Sequence, residues 1–140
     1  MAVLNATQMA KLSSFPIDYP EVADVGGRLR VFNEKITLAG QTTADTIQVA
    51  KLPRGARVLY GVLVTTVSLG SSTIAIGITG TVAKYRAAAT FGTADAPTLF
   101  GVAANVGEPL ANEETVFITI GAAALPGAGT LRVMMVYTVD

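Results

Sequence analysis

Five stretches of this chain alternate apolar and polar residues with a period of two, and Gly, Pro, Asn and Ser punctuate the gaps between them. In "RLRVFNEKITLA" the residues Phe32, Ile36 and Leu38 share one face, and in "DTIQVAKL" Ile47 and Val49 do. "STIAIGIT" puts Ile74, Ile76 and Ile78 on one side, and Thr73, Ala75, Gly77 and Thr79 on the other. "ETVFITIG" offers Val116, Ile118 and Ile120, and "TLRVMMVYTV" offers Leu131, Val133, Met135, Tyr137 and Val139. Period two with β-branched enrichment is the mark of half-buried strands. Two further stretches are open: "VAKYRAAAT" suits a short helix or a strand, and "APTLFGVAANVGEPL" has room for one short strand at residues 99–103. Frequent turn signals and the lack of a long helical pattern predict an all-β, antiparallel β-sandwich.

A sixth stretch breaks the pattern. In "KLPRGARVLYGVLVTT", residues 51–66, a strand stops at Pro53, a turn carries Arg54 and Gly55, and residues 58–64 are then apolar almost throughout. A strand of that kind needs cover on both faces, whereas antiparallel sheets usually leave one face to water. One face meets the opposing sheet. No amphipathic helix long enough to cover the other is present, which leaves an N-terminal arm, folded back or donated, or a neighbouring subunit. The small residues Thr73, Ala75, Gly77 and Thr79 likewise suit a surface on which another backbone packs closely.

Residues 1–27 differ from the rest, and we read them as an extended N-terminal arm preceding a β-sandwich domain over residues 28–140. Leu4 to Leu12 suits one or two helical turns, whereas Pro16 and Pro20 forbid a continuous helix across residues 15–21. The arm carries Phe15, Ile17, Tyr19 and Val22, apolar groups that a purely disordered tail tends to lack. Residues 121–129, "GAAALPGAG", read as a flexible loop before the last strand.

Ten basic and ten acidic residues give zero formal net charge, so no basic excess favours nucleic acid. Charged residues make up 14% of the chain, well below the usual level of about 25%. Low charge density favours association with other protein surfaces. No stretch approaches the ~18 consecutive apolar residues of a membrane helix. The N-terminus lacks the basic and apolar regions of a secretory signal, so we expect assembly inside a cell.

Catalytic chemistry finds little to work with. The chain has no Cys. It also lacks His in the same composition, which removes the usual base for a Ser nucleophile and the usual zinc ligands. Asp45 and Asp95 stand isolated, so a calcium site would have to be assembled from separate loops. Glu113 and Glu114 are adjacent and point to opposite faces of a strand, which suits solubilising charges better than a glycosidase pair. No phosphate-cradling loop is present. With no Trp and 6% aromatics, a sugar-stacking surface is not expected. Enzyme activity, a cofactor, a metal site and a small-molecule substrate are therefore not expected. Arg54 and Arg57 around Gly55, and Arg28 and Arg30 at the junction with the arm, read either as solvated charges or as groups pairing with acids on a neighbour.

The segments "ADTIQVAKLPRGARVLYGVLVTT", "STIAIGITG", "AKYRAAATF" and "ETVFITIGAAALPGAGTLRVMMVYTVD" together resemble a recurrent group of small structural proteins of tailed bacteriophages. The shared features are a K-L-P-x-G-A-x-V turn, an I-x-I-G run leading to K-[YF]-x-A-A-A, and a closing strand ending Tyr-x-Val-Asp. They span residues 44–140. The chain departs from the group at Thr81 and Val82, near which many relatives carry an acid. The resemblance implies a jelly-roll-like sandwich and a virion protein, foremost a capsid decoration or cement protein on the outer capsid surface, assembled in the host bacterial cytoplasm. The partners it implies are the major capsid protein and further copies of itself, as a homotrimer. On that reading Leu4, Leu12, Phe15, Ile17 and Tyr19 are arm anchors, and Arg28, Arg54 and Arg57 are rim charges. The alternatives are another virion part, such as a head-fibre base, neck or tail component, and a ligand- or glycan-binding module.

Overall fold

A computed structural model describes residues 7–16, 19 and 25–139. One short helix, α1 (Thr7–Leu12), precedes eight strands: β1 (Leu29–Thr37), β2 (Thr46–Leu52), β3 (Arg57–Thr65), β4 (Thr73–Ile78), β5 (Thr81–Thr90), β6 (Thr98–Phe100), β7 (Glu114–Gly121) and β8 (Thr130–Thr138). They form two four-stranded sheets, ordered β1-β8-β3-β6 and β2-β7-β4-β5, with every pairing antiparallel. Consecutive strands cross repeatedly from one sheet to the other, and this double Greek-key order is that of a jelly roll. The all-β, jelly-roll-like sandwich expected from the sequence is what forms. The first open stretch is a strand, and the second contributes the three residues of β6.

The alternating residues meet where the two sheets face each other. Leu131, Val133 and Met135 of β8 and Leu63 of β3 are buried against Val116, Ile118 and Ile120 of β7 and Ile74 and Ile76 of β4. Leu69, Phe91, Leu110 and Leu125 from the loops join the same core. Phe32 and Tyr137 stack on neighbouring strands, with ring centroids 5.8 Å apart. In β2 the alternation shifts phase: a bulge between Gln48 and Ala50 puts both Val49 and Ala50 out of water and lets Leu52 follow inward.

The "KLPRGARV" stretch makes a tight turn. Ala56 N–H donates to Pro53 O at 3.1 Å, and Gly55 takes a φ of 84°, a backbone conformation that costs glycine nothing. The turn is then stitched to the loop before β7. Gly55 N–H donates to Leu110 O, Leu110 N–H to Ala56 O, and Gly107 N–H to Val58 O, all at 2.8 to 3.0 Å.

Two expectations need correction. Residues 121–129 do not form a loose loop: Leu125 is buried, its N–H donates to Gln41 O at 2.8 Å, and Gly40 N–H donates to Pro126 O at 3.0 Å. The small face of β4 does receive a close backbone, but from the chain itself. A Cβ built on Gly77 would lie 2.2 Å from the carbonyl oxygen of Thr81, at the start of the next strand. The Thr79-Gly80 hairpin, with Gly80 at φ 83°, is what folds β5 back so tightly.

Candidate assembly interface

Strand β3 runs between β8 and β6, and its inward positions Gly61, Leu63 and Thr65 are buried. Gly61 is small for a reason, since a Cβ there would fall 2.0 Å from the Phe100 ring that fills its place. The outward positions Tyr60, Val62 and Val64 lie in register with neighbours that are also largely apolar. One row across the sheet reads Asn33, Met134, Val62 and Leu99, and the next reads Val31, Val136 and Tyr60. Directly opposed residues of paired strands share a face, so these rows are the outer face of the β1-β8-β3-β6 sheet. On it Leu29 is 61%, Val31 55%, Tyr60 40% and Leu99 70% exposed.

The other outer face is built differently. Its rows are Thr46, Thr119 and Ala75, then Gln48, Phe117 and Gly77. Among the described residues, the large apolar side chain left exposed on that sheet is Val82, at the start of β5. The apolar rows of the first sheet end at a basic row, in which Lys35, Arg132 and Val64 lie in register and Arg132 Nη1 donates to Asn33 Oδ1 at 2.7 Å.

The residues singled out as interface groups fall in three classes. Leu4, Ile17 and the side chain of Leu12 lie outside the described residues. Phe15 is fully exposed and Tyr19 is 82% exposed, while Arg28 and Arg54 are exposed as well. Arg57 differs from the surface charge expected of it. It is buried, and its Nη1 donates to Gly107 O at 3.4 Å, so within the chain it holds the loop that the Gly55 turn engages.

The sequence reading took Glu114 as a solubilising charge, and the structure overturns that. Glu113 is exposed and pairs loosely with Lys51 at 3.4 Å. Glu114 is mostly covered; it is ion-paired with Lys84 and accepts a 2.8 Å hydrogen bond from the hydroxyl of fully buried Tyr85. Asn105 Nδ2 donates to Lys84 O at 2.7 Å and closes the cluster against the long loop. Burial first, and then the bond to the Glu114 carboxylate and its charge, push the Tyr85 hydroxyl well above the ordinary tyrosine range. A cleft of about 280 Å³ opens beside the cluster, lined by Lys84, Asn105, Glu108, Leu110, Asn112 and Glu114. The cluster holds an ion pair and a neutral phenol locked to one another, which is a tie between β5 and β7. The signal for it was in the sequence only as "AKYR", an inward Tyr flanked by two cations on a strand. Among the described residues no group of three or more acidic side chains is placed to hold a metal ion, and no helix is long and apolar enough to cross a membrane.

Arg86 makes a second tie of this kind. Its guanidinium donates to the carbonyl oxygens of Ile74, Ala89 and Thr90, where the β4–β5 register shifts. Burial lowers the pKa of this guanidinium.

No family model and no curated protein matches the chain. Among solved structures, it is similar to a chain of the Cyanophage Pam1 capsid asymmetric unit, with 26% identity, a TM-score of 0.67, and coverage of 81% of this chain and 86% of that one. It is also similar to a chain in the capsid of Ralstonia phage GP4, at 20% identity, a TM-score of 0.63 and the same coverage. A third likeness is to the acidic stable capsid structure of Helicobacter pylori bacteriophage KHP30, at 11% identity and a TM-score of 0.58 over 79% of this chain and 87% of that one. The latter two are likenesses of fold alone. The resemblance to phage virion structural proteins read in the sequence is thus met in three dimensions by chains of phage capsids.

Proposed function

We propose that this chain is a non-enzymatic structural protein of a phage virion, a decoration protein that seats on the outer surface of the capsid and stabilises the shell. The observation that carries this is the likeness to a chain of the Pam1 capsid, which spans most of both chains at 26% identity. The three likenesses described above come from capsids, which favours a place in the shell over a neck or tail component. The chemistry of the surface supports the same reading: two tied sheets with a large exposed apolar face suit a protein whose work is contact.

The mechanism is mechanical. The protein buries apolar surface across subunit boundaries of the major capsid protein lattice, with further copies of itself as the second partner, grouped as a homotrimer. Each 100 Å² of apolar area removed from water is worth about 2.5 kcal/mol before the costs of association. Many modest contacts repeated around a closed shell act together against internal pressure. Nucleic acid, a membrane and a small-molecule substrate have no part in this account.

The test uses shells assembled without this chain, from a phage that carries it. Adding the purified protein should produce co-sedimentation with the shells and raise the temperature at which they rupture. Shells that neither bind it nor change their rupture temperature would exclude the decoration role.

A further inference from the structure

We infer that the outer face of the β1-β8-β3-β6 sheet is the seat for residues 15–24 of a second copy of this chain. This rests on reading the chain as an assembling subunit and adds the surface and the occupant. Three observations converge on it. The face carries exposed Leu29, Val31, Tyr60 and Leu99, with a basic end made by Lys35 and Arg132. The segment "FPIDYPEVAD" has the matching chemistry: Phe15, Ile17, Tyr19 and Val22 interleaved with Asp18, Glu21 and Asp24, and no Lys or Arg. Apolar side chains seek the apolar rows, and the acids seek the basic end.

The third observation selects the copy. In the single chain Phe15 and Tyr19 stand in solvent while Val31 and Leu99 stand in solvent too. A segment folded onto its own sheet would bury both sets at once. Residues 25–28 lead into Leu29, the first residue of edge strand β1, so the chain enters the sandwich at the margin of the face. Glu34, the acid of β1, does not oppose the fit: it alternates to the other side of the strand from Val31 and Lys35.

The chain has no Cys, so single introduced thiols report cleanly. Full-length Phe15→Cys protein is mixed with full-length Leu99→Cys protein and treated with a short bis-maleimide. A covalent heterodimer is expected at about tenfold the yield given by Phe15→Cys with Gln48→Cys, whose thiol lies on the opposite sheet, because docking raises the local thiol concentration. Equal yields from the two mixtures would overturn the inference. So would a Phe15→Cys/Leu99→Cys double variant that closes on itself and gives no product between chains. Neither result touches the decoration role, since no shell is present. A chain that cross-links as expected and fails to bind shells would sink that role alone.

Discussion

The two outer faces of this sandwich obey different rules. The β2-β7-β4-β5 face presents Thr46, Gln48, Thr119 and the small residues Ala75 and Gly77, and its special features are spent inside the chain. Gly77 admits the backbone of β5, Arg86 caps the carbonyls at the bulge, and Glu114 ties β7 to Lys84 and Tyr85. The β1-β8-β3-β6 face does the reverse. Its rows of Val31, Val136, Met134, Val62 and Leu99 leave apolar area in water. The lesson is that exposed apolar side chains gather on one outer face, while both sheets carry ties within the chain, as the Arg57–Gly107 bond of β3 shows. Both layers build the core, and the exposed apolar rows lie on the outer face of one of them.

Substitutions can break this comparison in order of effect. Ile118→Ala removes a fully buried side chain from the core shared by both layers. It should cost about 2–5 kcal/mol in chemical denaturation. Gly77→Ala forces a Cβ onto the Thr81 carbonyl, a backbone atom that cannot swing aside. We expect a loss of about 1–3 kcal/mol from that overpacking, with exchange protection of the β4–β5 hairpin falling first.

Glu114→Ala leaves the Tyr85 hydroxyl and the Lys84 ammonium without their shared partner, at a site where both side chains of the ion pair are mostly covered. A cost of roughly 2–3 kcal/mol follows, and Glu114→Gln, which keeps an acceptor for the phenol, should cost less. The same site sets a pH dependence. Tyr85 is held neutral in the folded chain by burial and by Glu114, while in the unfolded chain it ionises near pH 10. Its contribution is therefore complete below about pH 10 and is lost as pH rises further, because the unfolded state then releases a proton that the folded state keeps. Denaturation midpoints measured from pH 8 upward should fall less steeply in Tyr85→Phe than in the parent chain.

The smallest effect on folding belongs to the contact face. Val31→Glu and Leu99→Glu replace exposed side chains and should each leave stability within about 0.5 kcal/mol. If either unfolds the chain, the face is part of the core and the contrast between the layers is wrong.

Much of this fold was legible because burial on one side of a strand writes itself into alternate residues. Ile74 and Ile76, Val116 to Ile120 and Leu131 to Tyr137 point inward where the period placed them. The run at residues 58–64 also signalled a strand with two apolar faces, and Tyr60, Val62 and Val64 do form the second. What escaped notice depends on partners far along the chain. Glu114 finds Lys84 and Tyr85 some thirty residues away, Leu125 finds Gln41, and Arg57 finds Gly107 fifty residues on. No local spacing encodes such pairs. The small residues of β4 were recognised as a landing place for a backbone, yet the choice between a neighbour and the adjacent strand turned on hairpin geometry at Gly80, which periodicity does not carry.

The most direct test of the contact face is the native mass of the full chain in solution, by size exclusion with light scattering, beside that of a Val31→Glu/Leu99→Glu variant. The account predicts a discrete multimer for the parent chain and the mass of a single folded chain for the variant. A parent chain that is already a monodisperse monomer, or a variant that keeps the parent's multimeric mass, would contradict it.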